Sequence, residues 1–155
     1  MITEVLPNLY LGAWPDQMIF SGGILNVLEQ APERAHSLWV PILREESWMT
    51  YEGMNLHATD EEAIQRVMVR QPENIRASEG ALMLAADIIE RFHTQARPLL
   101  VHCGAGIERS PLAIAFWMVH RPNSGMTLDG AYGMLMTLRP IVMDRREWLP
   151  AHWRR

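Results

Sequence analysis

Apolar residues fall into short runs divided by polar turns, and the runs are of two kinds. Short apolar or alternating runs read as strands: residues 5–12 as one strand ending at Gly12, then Ile24 to Leu28, Ser37 to Ile42, Met54 to His57, and Arg97 to Val101. Pro41 moves the third run towards a sheet edge or a strand end. Longer runs with helical spacing read as helices. Thr59 and Glu62 form a capping box that opens a helix to about Arg70, stopped by Gln71-Pro72. Ser78 caps a second helix to Thr94, with Leu82, Ala85, Ile89 and Phe92 on one face. Ser110 to His120, with Pro111 in the first turn, is apolar nearly all round and reads as a buried helix. Thr127 caps a helix to Leu138, which Arg139-Pro140 ends. Gln17 to Phe20 reads as a helical turn, and Trp148 to Trp153 as a terminal helix docking two tryptophans. Strands alternating with helices predict an α/β fold: a central, largely parallel sheet of about five strands flanked by helices.

The connection between the Arg97–Val101 strand and the Ser110 helix carries the chemistry. It reads His102-Cys103-Gly104-Ala105-Gly106-Ile107-Glu108-Arg109-Ser110. Glycines let consecutive backbone N–H groups converge, and a helix N-terminus adds its dipole, so the loop is a candidate anion site. It also lies beyond the carboxyl end of a strand, where open α/β sheets bind their ligands. Cys103 stands within it, and an N–H cradle at a helix N-terminus favours a thiolate over a thiol. Arg109 can fork two oxygens of a phosphate. Thiolate, cradle and guanidinium together describe attack on phosphorus through a phosphocysteine. His102 precedes the cysteine on the strand, so its side chain should point away from the pocket and orient the loop through hydrogen bonds.

Composition narrows the alternatives. The 155 residues can bury a real core, so one domain over 1–155 is expected. Hydrophobic residues make up 48% and charged residues 21%, a globular rather than a disordered balance. The net charge of −4 disfavours nonspecific nucleic-acid binding. Cys103 is the sole cysteine, which excludes an intrachain disulfide and a cysteine-only zinc site. All 14 basic residues are arginines, so a lysine-dependent nucleotide loop and Schiff-base chemistry are both excluded. No secretory signal and no apolar run of membrane-spanning length is visible, which predicts a soluble, cytoplasmic protein without a membrane partner.

The loop resembles the His-Cys-x5-Arg-Ser signature of the cysteine-based protein tyrosine phosphatases. The compact chain, and the opening segment Val5 to Gly12, resemble the dual-specificity branch. That resemblance implies a phosphorylated protein or peptide as substrate, no metal or cofactor, and a phosphate cradle built from Gly104, Ala105, Gly106, Ile107, Glu108 and Arg109. It gives Ser110 the role of easing departure of the Cys103 thiolate, although a serine there also caps the helix. It further implies a carboxylic acid on a neighbouring loop to protonate the leaving oxygen. Asp60 follows a short strand where that loop should fall, with Glu61 and Glu62 as nearest rivals and Asp16 and Asp144 as remote ones. By analogy, Asn123 and Arg139 lie near the pocket mouth, and Trp14, Trp48 and Tyr51 are candidates for its rim. Glu108 departs from the family pattern, in which a small residue or serine is usual. It should point outward or pair with an arginine, and it counts against highly phosphorylated inositol substrates. Three readings stay open beside the protein phosphatase: a phosphate-binding module with little turnover, a phosphatase of a non-protein phosphomonoester, and a sulfurtransferase or arsenate reductase with a similar loop. Reductases of that kind usually need further cysteines, and the chain has none.

Overall fold

The strand that feeds the cysteine loop lies at the centre of the sheet. The structure is a computed structural model, and it describes residues 1–32, 34, 36–43 and 76–154. Five strands are found among them: β1 (Thr3–Leu6), β2 (Leu9–Gly12), β3 (Gly23–Asn26), β4 (Leu38–Trp39) and β5 (Leu99–His102). They lie in the order β1-β2-β5-β3-β4. Only β1 runs antiparallel to its neighbour; the other pairings are parallel. Every residue of β5 is buried, as a central strand covered on both faces requires.

Register fixes where the site forms. Gly12 pairs with His102 on one side of β5, and Asn26 pairs with His102 on the other. Three parallel strands therefore end at one level. The segments that follow them, from Ala13, Val27 and Cys103, emerge along the same edge of the sheet.

Helix α1 (Glu79–Thr94) begins at Ser78, whose side chain accepts a hydrogen bond from the Ala81 N–H. It buries Leu82, Ala85 and Ile89, with Phe92 partly buried beside them. Helix α2 (Arg109–His120) buries nine consecutive residues from Ser110 to Met118, because it is packed between α1, the sheet and α3. Helix α3 (Leu128–Leu138) is capped by Thr127, which accepts from the Gly130 N–H.

Several expectations need correction. Residues 5–12 do not form one strand. Pro7 cannot donate to a ladder and Asn8 takes a left-handed φ of 68°, so the chain reverses there into the antiparallel β1-β2 pair. The Ser37–Ile42 run keeps only two strand residues, Leu38–Trp39, before Pro41. The helical turn comes earlier than expected, as a 3₁₀ turn over Trp14–Met18. The terminal helix is two 3₁₀ turns, Arg146–Trp148 and Ala151–Trp153, since Pro150 stands between them. Trp148 is buried, and the Trp153 ring meets Phe116 edge-on at 5.6 Å. The expected strand at Met54 to His57 and the helix from Thr59 to Arg70 lie outside the described residues.

Ile89 is fully buried on the α1 face. Ile89→Ala is expected to cost roughly 2–5 kcal/mol of stability. Urea unfolding checks this; a loss below about 1 kcal/mol would mean that the α1 face is not packed as described.

Candidate active site

Each carbonyl from Cys103 to Glu108 accepts a hydrogen bond from outside the turn. His102 Nδ1 lies 3.2 Å from the Cys103 oxygen. The Trp14 N–H donates to Gly104 O at 2.9 Å. Arg139 serves the next two, with Nη2 donating to Ala105 O at 3.2 Å and Nε to Gly106 O at 3.0 Å. The Met143 N–H donates to Ile107 O at 2.9 Å, and the Leu112 N–H to Glu108 O at 3.2 Å. A peptide unit whose carbonyl is drawn one way turns its N–H the other way. Among the described residues, no protein acceptor takes a hydrogen bond from the N–H groups of Gly104 to Arg109. The loop thus presents consecutive donors, at the N-terminus of α2, to an anion.

Gly106 is the glycine this turn requires. Its φ is +69°, and a Cβ there would lie 2.7 Å from Gly12 O and 2.8 Å from Arg139 Nη2. Gly104 differs: a Cβ there would meet nothing within 4 Å.

Cys103 lies at the base of the loop and is 2% exposed. Its Sγ is 3.1 Å from Ser110 Oγ, which is also buried. The hydroxyl can donate to the sulfur whenever the sulfur carries charge. His102 is buried, and its ring meets Trp14 edge-on at 5.6 Å. Burial holds its imidazole below the usual pKa, against opposing effects of the Cys103 carbonyl and the Asp16 charge. It is therefore neutral at pH 7, and the bond to the Cys103 carbonyl calls for its hydrogen on Nδ1.

Arg109 opens α2, and its Nε donates to Glu29 Oε1 at 3.2 Å. Glu108 occupies the N-cap position and pairs with Arg145 Nη2 at 3.4 Å, so its charge is met by an arginine. Arg145 is shared with Glu147 at 3.2 Å and stands over the Trp148 ring.

The carboxylates weighed as proton donors divide clearly. Asp16 is buried and accepts from the Ala13 N–H at 2.8 Å. Asp144 is held by Arg146 at 2.7 Å. Asp60, Glu61 and Glu62 lie outside the described residues, as do Trp48 and Tyr51. Asn123 lies beyond the far end of α2, in a turn near Leu6, so it is not at the pocket mouth. Arg139 is not at the mouth either: it is 6% exposed and braces the loop from behind. Sequence reasoning missed that role, and it missed Glu29 altogether. The available signal for Glu29 was its position just past the end of a strand next to β5. Among the described residues, no group of three His, Cys, Asp or Glu could hold a metal ion.

Solved structures with low sequence identity share this fold. Human DUSP28 is 18% identical with a TM-score of 0.58, covering 95% of this chain and 86% of that one. DUSP15 is 18% identical with a TM-score of 0.61, covering 91% and 78%. The human tyrosine phosphatase-like serine/threonine/tyrosine-interacting protein is 16% identical with a TM-score of 0.61, covering 99% and 92%. No individual curated protein matches the sequence. The family of the dual specificity phosphatase catalytic domain matches residues 9–150, a span that holds β2, β3, β4 and β5, the cysteine loop and, among the described residues, helices α1, α2 and α3. The chain belongs to the dual specificity phosphatase catalytic-domain family.

Proposed function

We propose that the chain, acting as one catalytic domain, hydrolyses phosphotyrosine, and phosphoserine or phosphothreonine, in proteins through a phosphocysteine. The observation that carries this reading is the turn itself: its carbonyls are all drawn outward, with Cys103 at its base and Arg109 at its exit. The N–H groups and Arg109 hold the phosphoryl oxygens in line with the sulfur. Cys103 Sγ attacks phosphorus as the phosphorus–oxygen bond to the leaving group breaks, and Asp60 gives its proton to that oxygen. Asp60 then takes a proton from water as the water oxygen attacks phosphorus. The sulfur–phosphorus bond breaks, and the Ser110 hydroxyl steadies the departing thiolate. The cradle and guanidinium supply the charge stabilisation, so no metal is assigned a role. A reactive thiolate without a cysteine partner suits a reducing compartment, which supports a cytoplasmic location.

One observation favours a second reading, a phosphate-binding module with little turnover. Asp16, Glu29, Glu108 and Asp144 each already accept from a cation or a backbone amide, so none of these four stands ready as an acid. Turnover of p-nitrophenyl phosphate separates the two. Wild type is expected to turn over, Cys103→Ser to fall to background, and Asp60→Asn to lose roughly 10²–10⁴-fold. Phosphate binding without turnover in wild type would support the module, and full activity in Asp60→Asn would reassign the acid.

Glu108 beside the cradle, with no basic loop residue other than Arg109, supports substrates carrying a single phosphate. A phosphotyrosine peptide is expected to be hydrolysed faster than an inositol polyphosphate. The reverse order would overturn this specificity.

A further inference from the structure

The segment after β3 is tied down on both sides of one acidic residue. Asn26 is fully buried at the end of that strand. Its Oδ1 accepts from the Leu28 N–H at 2.9 Å, and its Nδ2 donates to Gln30 O at 3.0 Å. Trp39 Nε1 donates to Leu28 O at 2.7 Å. The Val27 N–H donates to His102 O at 3.1 Å, which joins the segment to the strand that carries Cys103. The residue held between these anchors is Glu29, and its Oε1 meets Arg109 Nε at 3.2 Å across 80 positions of sequence.

Ion pairs between two exposed side chains are usually incidental, because neither chain is held. Here Glu29 and Arg109 are each about a quarter exposed, and the backbone presenting Glu29 is fixed by a buried asparagine and an indole N–H. A guanidinium has five donors in a rigid fork. With Nε turned to Glu29, the two terminal nitrogens remain for the oxygens of an anion, and the planar group cannot rotate freely about its long stem.

We propose that Glu29 is a positioning residue: it sets the plane of the Arg109 guanidinium before an oxyanion arrives, and Asn26 holds Glu29 in place to do so. This rests on the reading of Arg109 as the phosphate ligand. The effect is on anion affinity, through the orientation of Arg109, and does not require Glu29 to touch substrate.

The probe is tungstate, a tetrahedral oxyanion whose binding needs no turnover. Binding is measured by calorimetry on Cys103→Ser, alone and combined with Glu29→Gln or Glu29→Ala, with urea unfolding followed in parallel. Glu29→Ala is expected to weaken tungstate about tenfold or more. Glu29→Gln, which keeps an acceptor, is expected to fall between it and the parent. Unchanged tungstate affinity in folded Glu29→Ala would overturn the proposal, even if stability fell, because that is what a purely structural pair would do. Tighter binding would overturn it too, since Glu29 would then be competing with the anion. On the Cys103 background, p-nitrophenyl phosphate turnover is measured separately. If wild type does not turn over but tungstate binding depends on Glu29, the positioning role stands and the phosphatase reading falls.

Discussion

Six successive carbonyl oxygens drawn outward are the constraint on which the rest of the site depends. An unpaired buried carbonyl costs about 1–3 kcal/mol, so a turn this tight needs donors from elsewhere in the fold. They come from the strand before it, the segment after β2, the start of α2 and the stretch after α3. Arg139 contributes most, because one guanidinium meets two adjacent carbonyls, and bonds from a charged donor are the stronger kind. Its other terminal nitrogen reaches Met1 O at 2.6 Å and Thr3 Oγ1 at 3.0 Å, which binds the loop to the edge of the sheet. Gly106 fits between Gly12 O and this arginine only because it lacks a Cβ. The inward direction of the N–H groups follows from these outward bonds, so the cradle is set before any ligand enters. That is the condition under which fixed dipoles stabilise developing charge with little reorganisation.

Sheet register then decides which residues can join the cradle. Gly12, Asn26 and His102 sit at one level because three neighbouring strands are parallel. Trp14, Glu29 and the cysteine loop are distant in sequence, yet each follows the end of one of those strands and so reaches the same edge. The level of the strand ends places Trp14 N–H against Gly104 O and Glu29 against Arg109. A slip of one residue in either pairing would turn alternate side chains to the other face and separate these groups.

Local features were legible in the sequence, and nonlocal ones were not. The caps at Ser78 and Thr127 are short-range hydrogen bonds between near neighbours, so composition and spacing reveal them. The β5 strand, the following turn and the buried α2 were readable for the same reason. The reversal at Pro7-Asn8 was readable in principle from turn chemistry, but the apolar run on both sides disguised it as one strand. The terminal helix failed because two tryptophans suggested a docked face while Pro150 denied it a continuous backbone. Arg139 and Glu29 could not be placed from local pattern. Their partners lie 33 and 80 positions away, and only the strand order brings them together. Arg139 stands at the end of a helix, and analogy placed it near the pocket mouth; only the folded loop shows it bracing the turn from behind.

The distribution of charge around the loop follows from the same geometry. Among the described residues, four carboxylates stand near it, and each is already turned to a partner: Asp16 to an amide, Glu29 to Arg109, Glu108 to Arg145, and Asp144 to Arg146. A carboxylate left without a partner beside a phosphate cradle would repel the anion that the cradle is shaped to receive, at a distance where the low dielectric of a half-buried site weakens the field little. Glu108 is the sharpest case, since it stands at the N-cap of the helix whose dipole serves the site. A negative charge there is favourable to the helix and unfavourable to the ligand. The Arg145 pair lets the first effect persist while reducing the second. Arg145 can serve in this way because Tyr132 receives its backbone N–H at 3.3 Å and the Trp148 ring lies beneath its guanidinium. The segment after α3 therefore does two jobs at once: Arg139 orders the loop's dipoles, and Arg145 offsets the one acidic side chain the loop carries.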